Sequence, residues 1–256
     1  MIRTFAPIVL ILLLLTVSGL PQTAGVSVRV AVAANFQFPF DSLLTLYRGI
    51  DSTAAITPVY GASGTLTGQI LQGAPFHLFL SADSAFPAAI RQGGRATGAV
   101  HPYARGRLIL WSTIFDNLST GLAMLGDPRV RTVAVADSAL APYGRAALEA
   151  LKSEGLLPSV RHKFIYARSV AQVNTYVQRG VVDAGITAAS VLARPGPPLP
   201  GWWVTIPGDR YTPIVQSAVL LDHGDSEERA MAARFLTWLL APERGDVLDH
   251  FGYERP

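Results

Sequence analysis

Residues 59–66, Val-Tyr-Gly-Ala-Ser-Gly-Thr-Leu, join a short apolar run to a segment with helical spacing. Gly61 and Gly64 permit a tight turn and a close approach of backbone to ligand. The first amides of a helix opening near Thr65 have no acceptor inside that helix. With the positive end of the helix dipole and the Ser63 hydroxyl, they make an anion site without a charged side chain. A strand that runs through a glycine turn into a helix also predicts an α/β chain with its ligand beyond the strand ends.

The flanking sequence repeats that alternation. Residues 26–33, V-S-V-R-V-A-V-A, have period two and predict a strand. Asn35 follows where a helix cap belongs, ahead of Phe40, Leu43, Leu44 and Tyr47 at helical spacing. Strands are predicted at 55–60 and 76–81 and a helix at 85–91, the pattern of a parallel sheet covered on both faces. A second α/β unit follows, with strands at 107–112, 132–136, 163–166 and 183–187. Its helices are predicted at 118–125, after Pro142-Tyr143-Gly144, and behind a Ser169 cap with Val170, Val173 and Val177 on one face. Residues 194–200 are too rich in proline for regular structure. Strands at 202–206 and 214–221 precede a helix capped by Asp225 or Ser226 and running to Leu240. Two such units predict two lobes with a cleft between them: residues 26–105 with 216–256, and residues 106–215. The chain should cross between them near 103–106 and 211–216.

Composition narrows the function. Half of the 256 residues are apolar and 15% are charged, enough for a sizeable core. The net charge of +3 comes without a Lys/Arg cluster, which argues against nucleic acid as a partner. The absence of Cys excludes disulfides, thiolate metal sites, a thiol nucleophile and lipid attachment through an N-terminal Cys. Five scattered His make no His-x-x-x-His or His-Glu pair, and Gly61-Ala-Ser-Gly64 is only half a nucleophile elbow. An enzyme is therefore not expected. Met1-Ile-Arg3, an apolar run at 6–20 and small residues up to Gly25 read as a secretory signal peptide over 1–25. That run falls short of the ~20 residues of a membrane span. The remaining chain is expected to be exported to the periplasm with no membrane insertion.

With these motifs in place, the chain resembles the periplasmic molybdate-binding proteins, the substrate-binding components of molybdate ABC importers. The resemblance runs through Gly61-Ala-Ser-Gly-Thr-Leu66, Gly73-Ala-Pro-Phe76, Leu80-Ser-Ala-Asp83 and Gly106-Arg-Leu-Ile-Leu-Trp-Ser112. It continues through Ala141-Pro-Tyr-Gly-Arg-Ala-Ala147, Asp183-Ala-Gly185 and Tyr211-Thr-Pro-Ile214. It implies a two-lobed periplasmic binding protein fold of type II, with parallel-rich sheets flanked by helices and the ligand in the cleft. It also implies molybdate or tungstate as ligand, an ABC permease as partner, a monomeric chain and no cofactor.

Carried over by position, the implied ligand contacts are Ala34, Asn35, Ser63, Tyr143 and the amide of Val170. Molybdenum would be held only through its oxygens, with no direct protein ligand to the metal. Asn35 would supply its amide NH₂, Ser63 and Tyr143 hydroxyls, and the helix starts main-chain amides. Ala34 and Ala62 lack hydroxyls that many members carry, and Ala188 stands where some have a tyrosine. Those departures bear on selectivity, so sulfate or another small anion, or a sensor with the same fold, is the alternative. Each contact also has a local explanation: Asn35 as a cap, Ser63 as a turn residue, Tyr143 as loop packing, Val170 as an ordinary apolar residue. Asp83 is read as the cap of the helix that follows it.

Overall fold

The computed structural model describes residues 26–256. The expected signal peptide, residues 1–25, lies outside the described residues. Two five-stranded sheets, each flanked by helices, form two lobes. The first holds strands β1 (Ser27–Ala33), β2 (Ala55–Gly61), β3 (Leu78–Ser81), β4 (Ala96–Gly106) and β10 (Ile214–Leu221), in the order β2-β1-β3-β10-β4. The second holds β5 (Leu108–Ser112), β6 (Val133–Ala136), β7 (Phe164–Ala167), β8 (Ala184–Ala188) and β9 (Trp202–Thr205), in the order β7-β6-β8-β5-β9.

The period-two pattern of β1 explains the packing of the first sheet. Val28, Val30 and Val32 enter one core with Phe40 and Leu43 of α1 (Gln37–Ile50) and Phe235 and Leu236 of α7 (Ser226–Leu239). Ala31 points the other way, to Leu66 and Ile70 of α2 (Ser63–Leu71) and Ile90 of α3 (Ala85–Gln92). Phe235 sits edge-on to both Phe40 and Tyr47, with centroids 5.7 and 5.0 Å away. Full burial of each such side chain stabilises the fold by about 1.5–3 kcal/mol. In the second lobe every residue of β5, β6 and β8 is buried beneath α4 (Pro142–Ser153) and α6 (Val170–Gln178). The short α5 (Leu157–Val160) follows α4, and α8 (Gly245–His250) closes the chain.

The pairs β1–β2, β1–β3, β6–β7 and β6–β8 are parallel, as the sequence pattern predicts, and two expectations elsewhere need correction. Each sheet is completed by antiparallel strands: β10 runs antiparallel to β3 and β4, and β5 antiparallel to β8 and β9. The chain enters these strands from the opposite lobe, without a helical crossover, so nothing compels parallel pairing. The helix expected at 118–125 is a 3-10 segment, Gly121–Gly126, because Gly121 takes φ +60, outside the right-handed helical region. Strand β4 was not anticipated. Its Gly98 and Pro102 argue against a strand, and they are tolerated because β4 is a sheet edge with register shifts against β10.

The crossings fall at Arg107, between β4 and β5, and at residues 206–213, between β9 and β10. Among the described residues, no helix is long and apolar enough to cross a membrane.

Candidate anion-binding site

Three helix starts converge on one small cavity between the lobes. The glycine turn after β2 delivers Ser63 as the first residue of α2. Pro142 opens α4 with its fixed φ, and Tyr143 follows it. Ser169 caps α6 by accepting from the Gln172 amide, which leaves Val170 as the first helical residue. The fourth wall is the 3-10 turn Ala34–Phe36 at the end of β1. The cavity is small, about 10 Å³, and all five expected residues, Ala34, Asn35, Ser63, Tyr143 and Val170, line it. Ala62, Ala82 and Ala141 complete much of the wall, and the lining contains no Asp, Glu, Lys, Arg or His.

The donors are specific. Among the described residues, the amides of Ser63, Tyr143 and Val170 meet no protein acceptor. Ser63 Oγ accepts from the Ala82 amide at 3.0 Å, so its own hydrogen remains to donate. Each amide lies in the first turn of a helix of nine or more residues, where the dipole favours negative charge. The Gly64 amide, next in α2, donates to the Leu140 carbonyl of the other lobe at 2.8 Å. A Cβ at Gly64 would lie 3.0 Å from the Leu140 Cα, so the absence of a side chain permits this approach.

Two side-chain roles differ from the expectation. Asn35 makes no capping bond. Its carboxamide donates to Gln216 Oε1 and to the Tyr253 hydroxyl, both at 2.8 Å, so both N–H groups are already satisfied within the protein. The Tyr143 ring lines the cavity, but its hydroxyl neighbours that of Tyr253 and packs against Gly106, where a Cβ would collide with it. Burial raises the Tyr143 phenol well above its ordinary value, and the neighbouring Tyr253 adds to the rise. Tyr253 is pushed up to about 12, chiefly by burial, against the opposing hydrogen bonds of Ser190, Asn35 and Tyr143. Both phenols are therefore neutral near pH 7.

Tyr253, Gln216 and Ser190 surround the site and were not anticipated. The Tyr253 hydroxyl donates to the Asn35 carbonyl at 2.9 Å, and Ser190 Oγ donates to the same oxygen at 2.7 Å. The only sequence signal was an aromatic in the tail, which packing alone explains. Asp83 does cap α3, accepting from the Phe86 amide at 3.1 Å, and it also pairs with Arg145 of the other lobe at 2.9 Å.

Two sheet-and-helix lobes facing each other across an uncharged, donor-lined cavity define a two-lobed solute-binding protein. The profile of the family described as "Bacterial extracellular solute-binding protein" matches residues 28–254. The chain belongs to that family. It is 33% identical over 227 residues to the Molybdate-binding protein ModA of Azotobacter vinelandii, across 88% of this chain and 89% of that one. It is 36% identical over 238 residues to the Molybdate-binding protein ModA of Rhodobacter capsulatus, across 92% and 90%. The solved structure of the Azotobacter vinelandii periplasmic molybdate-binding protein matches with a TM-score of 0.82 at 30% identity, covering 90% of this chain and 100% of that one. These relatives are binding proteins rather than enzymes.

Proposed function

We propose that the chain captures molybdate, and tungstate with it, between its lobes and delivers it to the permease of an ABC importer. One observation carries the reading: three unpaired helix-start amides and one free hydroxyl hydrogen meet at a cavity whose lining has no charged side chain. A tetrahedral dianion supplies acceptors for all of them. Charge-assisted hydrogen bonds contribute roughly 1.5–3 kcal/mol each. A handful suffices for a submicromolar complex after the costs of desolvation and closure. A lining made of donors offers no acceptor to a protonated oxyanion, which favours molybdate over phosphate. Molybdate is preferred over sulfate by size, because the shorter sulfur–oxygen bonds leave some donors out of reach.

In this reading Ser63 donates its hydroxyl, and Ser63, Tyr143 and Val170 donate main-chain amides. Ala34 and Asn35 form the wall opposite them. The molybdenum has no direct protein ligand, and no cofactor takes part. Residues 26–106 with 214–256 act as one lobe and 107–213 as the other, a residue or two from the bounds expected from sequence. The chain works as a monomer in the periplasm after removal of residues 1–25.

A thermal-shift series of the chain lacking residues 1–25 against molybdate, tungstate, sulfate, phosphate and chromate tests the reading. A ligand at 1,000 times its Kd adds ~4 kcal/mol. For a protein of this size that corresponds to a rise in Tm of roughly 8–16 °C. Molybdate and tungstate should give that rise, and sulfate a much smaller one. No shift with either group 6 oxyanion contradicts the reading.

A further inference from the structure

We infer that Tyr253, three residues from the end of the sequence, is the positioning residue of the anion site. The inference rests on the oxyanion reading above and assigns the tail a role within it. The Tyr253 hydroxyl accepts from Asn35 Nδ2 at 2.8 Å and donates to the Asn35 carbonyl at 2.9 Å. One phenol thus grips both ends of Asn35, in the turn that forms a wall of the cavity. The other Asn35 N–H goes to Gln216 Oε1 at 2.8 Å, at a point where β10 shifts register against β4. Such an irregularity re-aims a side chain out of the regular ladder. These three residues belong to the first lobe. Ser190 and Tyr143 come from the second, one donating to the Asn35 carbonyl at 2.7 Å and the other lying beside the Tyr253 hydroxyl.

Burial makes the arrangement consequential. Asn35, Gln216, Tyr253 and Ser190 are all buried, so a polar atom that loses its partner there finds little water to replace it. Withdrawal of the second lobe removes Ser190 and Tyr143 from the cluster and leaves Tyr253 and Gln216 to hold Asn35, with Tyr253 as the one remaining donor to its carbonyl. The cluster therefore couples the shape of the anion wall to closure of the lobes. Tyr253 is fixed in turn by the tail: its ring stands edge-on to Phe36 at 5.5 Å, and Glu254 pairs in antiparallel fashion with Arg105 through two main-chain bonds.

Tyr253→Phe keeps the ring and removes the hydroxyl. It should weaken molybdate binding about tenfold or more, while the Tm without ligand falls by only a few degrees. Ser190→Ala should weaken binding less and act mainly by speeding release, since it removes a bond made on closure. A ligand-free readout separates this inference from the functional one. The Asn35 carboxamide protons, identified by their loss in Asn35→Asp, should exchange slowly with water in the native chain and quickly in Tyr253→Phe. If no oxyanion binds the native chain, the functional reading falls and the exchange rates still judge the clamp. Unchanged exchange, or an unchanged Kd together with equal losses of Tm with and without ligand, overturns the positioning role.

Discussion

Arg145 of α4 reaches across the cleft and sets its Nη2 2.9 Å from Oδ2 of Asp83 in the opposite lobe. Asp83 follows Ala82, which lines the cavity, so a carboxylate stands one residue from the proposed anion site. Its cationic partner offsets that charge and ties the lobes together. Arg145 is about half exposed, so solvent screens the pair and its worth is at most ~1 kcal/mol. Arg145→Met should therefore weaken molybdate binding by only about two- to fivefold, less at high salt. The double variant Asp83→Asn with Arg145→Met should recover most of the loss in a calorimetric titration.

Ser63 carries more. Its hydroxyl is buried, is oriented by the Ala82 amide and keeps its hydrogen for the cavity. Ser63→Ala removes a charge-assisted donor and leaves the Ala82 amide without an acceptor, so Kd should rise by about tenfold or more. The Tm without ligand should fall by a few degrees.

Gly106 lies where the first lobe hands the chain to the second. A Cβ there collides with the Tyr143 hydroxyl and stands 3.1 Å from Gln216 Nε2. Gly106→Ala should lower stability by about 1–3 kcal/mol, the usual cost of overpacking, and weaken binding with it. Adding Tyr143→Phe removes the colliding oxygen and should restore part of the stability. A double-mutant cycle from chemical denaturation measures that coupling.

Affinity should be flat from about pH 6 to 9. Tyr143 is the only titratable side chain in the cavity lining, and its phenol is held above its ordinary value. Stability should behave differently in alkali. Tyr253 ionises at about 12 in the folded chain and near 10 when unfolded, so the unfolded chain loses its proton first. Its contribution is fully present below about pH 10 and is lost as pH rises toward 12. Tyr103 and Tyr143, raised by the same burial, act in the same direction. A series of Tm values across that range checks the sign.

Local patterns carried much of this fold, and distance hid the rest. β1 was legible because Val28, Val30 and Val32 face one core while Ala31 faces the other. The start of α6 was legible because Ser169 is a local cap. β4 was not, because Gly98 and Pro102 break the local signal and only pairing with β10 makes the strand. The glycine turn at Ser63 could be read locally, whereas the Val170 amide was singled out only by the family resemblance, because an apolar side chain says nothing of its own main-chain N–H. The task of the Asn35 carboxamide could not be read locally either, because its partners Gln216 and Tyr253 lie 181 and 218 residues away. The Asp83–Arg145 pair spans 62 residues and two lobes, and neither side chain announces the other.

The most direct test is a crystal of the chain grown with molybdate and measured at the molybdenum absorption edge. The account predicts one strong anomalous peak in the cavity, with its oxygens within hydrogen-bond reach of Ser63 Oγ and the amides of Ser63, Tyr143 and Val170. An empty cavity, or a peak at another place on the protein, would contradict it.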